Sequence, residues 1–252
     1  VRASIGVVGN QSISDFGAQG LYSTGSNYVG KAGIALSAIP NPNLSWESTT
    51  QSDIGVDFSL FSNRLHFTAD AYLKKTKDLL LLVNLPTTSG FSSALQNVGD
   101  TQNKGLEFSI SAQNITGAVK GLKWNSSFNI SFNQNKIIKL SNNNADIIQT
   151  SSDATFFSTS PVGIGRLGQP IGVFYGYVYT GRVYATTDEA KAANMRDGSP
   201  TGPLYVAGDM IYKDLNGDGV INDADRTIIG NANPKFIAGL TNNVTFKNFD
   251  LS

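Results

Sequence analysis

The sequence predicts an all-β chain: a partial antiparallel transmembrane β-barrel with long extracellular loops. Three observations point there. Apolar and polar residues alternate over runs of about ten residues, the length of a membrane-spanning strand. Short connections alternate with long ones, as in outer-membrane barrels, where short turns face the periplasm and long loops face outward. Of 252 residues only 15% are charged and 40% hydrophobic, and the balance is filled by Asn, Ser, Thr and 26 Gly. That mix favours strands and turns over helices.

Composition also excludes several classes. Lys+Arg and Asp+Glu each number 19, so the net charge is zero, unlike the basic excess of a nucleic-acid binder. Fourteen Phe and nine Tyr give enough apolar surface to argue against disorder. With no cysteine there is no disulfide scaffold, thiol nucleophile or cysteine zinc site. No apolar run reaches the roughly 18 residues of a transmembrane helix.

The elements follow in chain order. Val1-Arg2-Ala3-Ser4-Ile5-Gly6-Val7-Val8 reads as a strand already under way, with neither initiator Met nor signal peptide. Ile54, Val56, Phe58 and Leu60 alternate with Gly55, Asp57 and Ser59. Leu65, Phe67, Ala69, Ala71 and Leu73 alternate with His66, Thr68 and Asp70. Pairing Leu60 with Leu65, Phe58 with Phe67 and Val56 with Ala69 puts every apolar side chain on one face. A two-residue turn, Ser62-Asn63, is left over. Residues 77–102 form the first long connection. Leu106, Phe108, Ile110 and Ala112 then alternate, and after a short link from Asn114 to Gly121 so do Trp124, Phe128, Ile130 and Phe132. A second long connection covers about 136–171. Phe174–Arg182 reads as a strand, and 183–234 as a third long connection holding a helix at Thr187–Met195, with acids in its first turn. A strand from Phe236 leads to a last hairpin, with Val244 and Phe246 facing Phe249 and Leu251 around Lys247-Asn248. Because the sequence stops at Ser252 inside that strand, a fragment is expected.

One segment has metal chemistry. Asp214-Leu215-Asn216-Gly217-Asp218-Gly219-Val220-Ile221-Asn222-Asp223-Ala224-Asp225 fits the calcium-loop template of side-chain oxygens at positions 1, 3 and 5, Gly at 6 and an acid at 12. Asp214, Asn216 and Asp218 supply side-chain oxygens, Val220 its carbonyl, Asn222 a site that acts through water, and Asp225 closes the shell. Position 12 is Asp rather than Glu, which weakens calcium binding or favours magnesium. The flanks, Met210–Lys213 and Arg226–Gly230, read as extended and not as the helices of an EF-hand. The alternative is an Asn/Asp/Gly turn held by its own hydrogen bonds.

Other sites are weaker. His66 is the single histidine and reads as a structural or lumen-facing residue, with no nucleophile or acid marked around it. Asp53, Asp57, Asp70 and Glu107 lie within strands and carry no glycosidase motif. Gly163-Ile164-Gly165-Arg166-Leu167-Gly168 is a glycine pattern without a following helix, hence no phosphate loop. Tyr175, Tyr177 and Tyr179 suit packing or an interfacial girdle better than sugar stacking.

The motifs resemble a known family. Asn41-Pro42-Asn43-Leu44-Ser45-Trp46-Glu47, then Thr49-Thr50-Gln51 and Ile54-Gly55-Val56-Asp57-Phe58, resemble the barrel of SusC/RagA-type TonB-dependent outer-membrane transporters. So do Tyr72–Leu80, Gly168–Tyr177 and Gly208–Asp214 running on to Gly230–Phe236. The resemblance implies about seven or eight strands of a 22-stranded barrel. Residues 1–252 would form a partial TonB-dependent receptor barrel domain from the C-terminal half, without the plug domain. It implies TonB-dependent import of a glycan or peptide across the outer membrane of Bacteroidetes. The implied partners are a SusD-like surface lipoprotein, TonB–ExbB–ExbD acting through the missing N-terminal region, outer-membrane lipid, and the oligosaccharide or peptide itself. Catalytic residues, organic cofactors and nucleic acid are not expected, and Ca²⁺ or Mg²⁺ would sit in loop 214–225. Two other readings stay open on the residues alone. One is a secreted, calcium-stabilised β-sandwich adhesin or carbohydrate-binding module, whose strands are usually shorter. The other is a glycoside hydrolase fragment.

Overall fold

The computed structural model describes the chain except for Ser12, Tyr28, Ser92 and residues 117–120, 141–143 and 151–160. The chain forms two compact units: Val1–Ala145 with Lys235–Ser252, and Asp146–Pro234.

The first unit is built on a seven-stranded antiparallel sheet. Its strands are β1 (Arg2–Asn10), β2 (Glu47–Leu60), β3 (Leu65–Lys77), β4 (Asp100–Thr116), β5 (Leu122–Lys139), β6 (Ile237–Phe246) and β7 (Phe249–Leu251). Their order across the sheet is their order in the chain, the up-and-down arrangement of a barrel wall. β3 has 13 residues and β5 has 18, more than the roughly 9–11 needed to cross a membrane. At about 3.4 Å per residue β3 runs about 44 Å and β5 about 61 Å.

The registers follow the apolar pattern. Leu60 pairs with Leu65, Phe58 with Phe67 and Val56 with Ala69. Leu106 pairs with Phe132, Phe108 with Ile130 and Ile110 with Phe128. Phe246 pairs with Phe249 across Lys247-Asn248. One parity of the strands therefore carries most of the large apolar residues, and it is uncovered: Leu106 is 47% exposed and Leu240 is 68%. Phe58 and Phe67 stack within it, ring centres 4.8 Å apart. A β-sandwich would bury this face as its core, so that alternative is corrected.

Three boundaries differ from expectation. The ladder between β2 and β3 stops at Leu60 and Leu65, leaving a four-residue turn instead of Ser62-Asn63 alone. In it Phe61, Ser62 and Asn63 all have positive φ, and the Arg64 amide donates to both Leu60 and Phe61 carbonyls. The 77–102 connection is not featureless, because Leu80–Asn84 and Ser93–Asn97 form a hairpin in it. Last, Phe174–Arg182 is not a wall strand. β5 pairs directly with β6 from Ser131–Ile237 to Leu122–Phe246, so 136–171 and 183–234 merge into one excursion between Lys139 and Ile237. Parts of the expected links, 117–120 within Asn114 to Gly121 and 141–143 and 151–160 within 136–171, lie outside the described residues.

That excursion contains the second unit. Ile147–Thr150, Pro161–Gly165, Val173–Tyr177 and Arg226–Asn231 form a four-stranded sheet. Ile164 and Val173 are buried in it. Tyr179–Val183 pairs with Met210–Tyr212, and Arg196–Asp197 runs parallel to Val220–Ile221. The helix spans Thr187–Ala193: the Thr186 hydroxyl caps it by accepting the Glu189 amide, and Asn194 ends it in a left-handed conformation. Its Ala190 is fully buried.

Candidate functional site

The polar parity of the wall is the first candidate. Arg2, Gly55, Asp70 and Glu107 stand in one cross-strand row. The Arg2 guanidinium reaches Asp57 at 2.7 Å on the next turn of the pleat and Asp70 at 2.8 Å across the intervening strand. Thr68 donates to Asp57 at 3.2 Å. One row on, the Tyr72 hydroxyl crosses Gly105 to donate to Asn133 at 3.1 Å. Asn135 donates to Asn103 at 2.9 Å, and Ser59 and His66 Nδ1 share a hydrogen bond of 2.8 Å. His66 therefore lies on the polar parity, as expected, held by a serine. A groove of about 290 Å³ runs along this face beside Thr68, Asp70, Glu107, Asn129 and Ser131. The carboxylates Asp53, Asp57, Asp70 and Glu107 all belong to this parity. It is a hydrated, hydrogen-bonding surface, and its half-exposed ion pairs are worth at most about 1 kcal/mol each.

Sequence reasoning missed Arg2, which reads alone as one strand residue; only the register with Gly55 reveals its reach. It also missed what fixes the outer hairpin. The Asn97 side chain accepts the Ser45 amide and donates to the Ser45 carbonyl, both at 2.7 Å, and also donates to Asp78 O at 2.9 Å. Glu47 accepts the Leu80 amide at 3.0 Å with one oxygen and Asn10 at 2.8 Å with the other. The Asn41–Glu47 motif thus fastens hairpin 80–97 to the end of the wall.

The acidic loop is the second candidate. Gly217 and Gly219, both at positive φ, bend the chain so that Asp214 accepts their amides at 2.6 and 2.8 Å. These bonds, Gly219's foremost, hold the Asp214 carboxyl below its ordinary pKa. Asn216 accepts the Asp218 amide at 3.1 Å, and Asp218 accepts that of Val220 at 2.8 Å. Asn222 accepts the Ala224 amide at 2.8 Å. Asp225, 0% exposed, accepts the amides of Leu215 at 2.8 Å and Asn222 at 2.9 Å. All six template residues therefore lie in one loop, and the side-chain oxygens of Asp214, Asn216, Asp218, Asn222 and Asp225 are turned onto backbone amides. Among the described residues no three acidic or histidine side chains gather at metal-holding distance.

The tyrosine run packs inside the second unit. Tyr177 lies against Tyr212 with ring centres 5.5 Å apart and beneath Arg226 at 4.4 Å. Burial pushes its hydroxyl pKa up. Packing holds for these residues and the girdle does not, because their strand is outside the wall. Gly163–Gly168 passes from a strand into a turn, where Arg166 pairs with Asp146 at 2.8 Å, so it is not a phosphate loop.

Comparison with known proteins agrees with this architecture. The family model described as TonB dependent receptor-like, beta-barrel matches residues 1–224. TonB-dependent receptor P3 of Formosa agariphila is 41% identical over 100% of this chain. TonB-dependent receptor SusC of Bacteroides thetaiotaomicron is 31% identical, again over 100%. The alignments cover 24% of each relative, so the chain spans about a quarter of their length. The RagAB peptide transporter superposes on 99% of this chain with a TM-score of 0.75 at 24% identity, covering 25% of its own chain. A sheet with one apolar and one hydrated face, in the order of a barrel wall, matches relatives along its whole length: the chain belongs to the TonB-dependent receptor β-barrel family.

Proposed function

We propose that this chain is a section of the wall of an outer-membrane transporter that imports a glycan or peptide nutrient. Its full-length parent would be energised by TonB–ExbB–ExbD and capped outside by a SusD-like lipoprotein. The observation that carries this reading is the seven-stranded sheet in chain order, apolar on one uncovered face and hydrated on the other. Such a sheet is stable with lipid on one side and water on the other. The hydrated face offers hydrogen bonds from Asn, Ser and Thr, suited to sugar hydroxyls and peptide amides alike. RagAB is described as a peptide transporter; the substrate of this chain is settled by uptake. The test is to delete the parent gene and measure growth and uptake on defined oligosaccharides and peptides. Loss of uptake of one class, restored by the intact gene, supports the proposal; unchanged uptake of every substrate contradicts it.

We also propose that loop 214–225 takes Ca²⁺ or Mg²⁺. A carboxylate has about four lone-pair sites, and the amide bonds of Asp214 occupy two of them. The hydrogen bonds that shape the turn thus leave oxygen lone pairs on Asp214 and the exposed Asp218 for a hard cation. Terbium luminescence sensitised by the tyrosines, displaced by Ca²⁺ and lost in Asp218→Ala, is the expected result. Absence of any saturable signal would leave the loop a self-bonded turn.

A further inference from the structure

The charges of the wall are segregated by face. Every carboxylate of β2 and β3 points to the hydrated parity, as does Glu107 of β4. The apolar parity carries the opposite charge at one end only. Lys75 continues the series Phe67, Ala69, Ala71 and Leu73, and Lys77 extends it. Lys75 pairs with Gln102, which pairs with Lys136, and one row nearer the apolar band Leu73 pairs with Lys104. Two strand spacings separate Lys75 from Lys136, about 10 Å, and Lys104 lies about 7 Å along the strands. All three lysines are exposed, and none has an ion-pair partner among the described residues; the ion pairs found there involve arginines. Asp100, beside the row, accepts the Asp78 amide at 3.2 Å.

Directly below this row the surface is apolar. A groove of about 600 Å³ is lined by Leu73, Leu106 and Phe132, with Lys104, Gln134 and Lys235 around it. Phe132 packs against Phe236 at 6.2 Å. Cations over an apolar groove at the rim of a membrane wall complement one class of molecule: a lipid with a charged head and buried chains. The long connections leave the wall at this end, which is the outward side in such barrels.

We propose that Lys75, Lys104 and Lys136 hold the phosphate-bearing headgroup of an outer-leaflet lipid whose acyl chains lie along Leu73, Leu106 and Phe132. The inference rests on the membrane-wall reading. Lysine at a membrane surface contributes about 1 kcal/mol toward anionic lipid, so removing three weakens retention by about a hundredfold.

The test uses the full-length protein carrying this segment, reconstituted in phosphatidylcholine vesicles with or without diphosphorylated lipid A. It is then extracted in mild detergent and weighed by native mass spectrometry. The wild type should retain lipid A, and the triple variant Lys75→Gln, Lys104→Gln, Lys136→Gln should lose it about a hundredfold. A control on the opposite parity, Lys74→Gln, should retain it. Inorganic phosphate at millimolar concentration should not displace it. Equal retention by the wild type and the triple variant, or displacement by free phosphate alone, overturns the lipid site. Heat-modifiable migration on gels reports the folded barrel separately. An intact barrel without lipid contradicts only this inference, whereas no barrel in the wild type contradicts the membrane reading beneath it.

Discussion

Arg2 and Asp70 form an ion pair of 2.8 Å although a whole strand lies between them. Gly55, opposite both in register, makes this possible: a Cβ there would run into Asp70 and Arg2. Gly105 plays the same part under Tyr72, but its missing Cβ would also meet the Phe132 carbonyl at 2.6 Å. A side-chain end can swing away and a backbone carbonyl cannot. Gly55→Ala is therefore expected to cost no more than about 1 kcal/mol, and Gly105→Ala about 1–3 kcal/mol. Urea unfolding of the reconstituted protein measures both, and equal costs would contradict this difference.

Asn97 substitutes for a strand neighbour of Ser45. Asn97→Ala removes all three of its bonds and leaves the Ser45 amide without its partner. The expected cost is about 1–3 kcal/mol, confined to hairpin 80–97 and the Asn41–Glu47 segment. Faster proteolysis within 78–99 with the wall unchanged is the expected pattern. Hydrogen exchange at Leu80 and Ser45 should rise together.

Asp225 is the most demanding position of the acidic loop. Asp225→Ala strands two amides in a buried place, at an expected cost of about 2–5 kcal/mol to the loop. Circular dichroism melts of variant and wild type read this loss.

Acid acts on the same loop through Asp214. Its folded pKa lies below the ordinary 3.8, so its contribution is complete above that value and disappears as pH falls through the lower folded pKa. Exchange protection of the Gly219 amide should be flat from neutral pH to about 4 and fall below it. Asp214→Asn should abolish that acid step.

Much of the wall was legible because period two is a local property. The pairing of Leu60 with Leu65 follows from alternation and a short connection, whereas for Leu106 and Phe132 alternation gives the shared face and the structure gives the register, shifted by a bulge between Gln113 and Ile115. The helix at 187 was legible from Asp188 and Glu189 in its first turn, while its Thr186 cap is a finding of the structure. The pairing of β5 with β6 was not legible, because 97 residues separate Lys139 from Ile237 and no local pattern records which strands meet across such a gap. Val173–Tyr177 alternates as a wall strand does, yet Val173 is buried in another sheet. In the loop the template residues were plain from spacing, whereas the donors that claim their oxygens are backbone amides, which are alike in every residue.

The face assignment is tested most directly by one pair of substitutions at neighbouring positions. Phe128 lies on the apolar parity and Ser127 on the hydrated one. The measurement is the folding free energy of the full-length protein in lipid vesicles for Phe128→Arg and Ser127→Arg. If the apolar face meets lipid, Phe128→Arg costs about 2–4 kcal/mol at mid-membrane and Ser127→Arg much less. Equal costs, or the larger cost at Ser127, would show that the wall does not present Phe128 to the membrane.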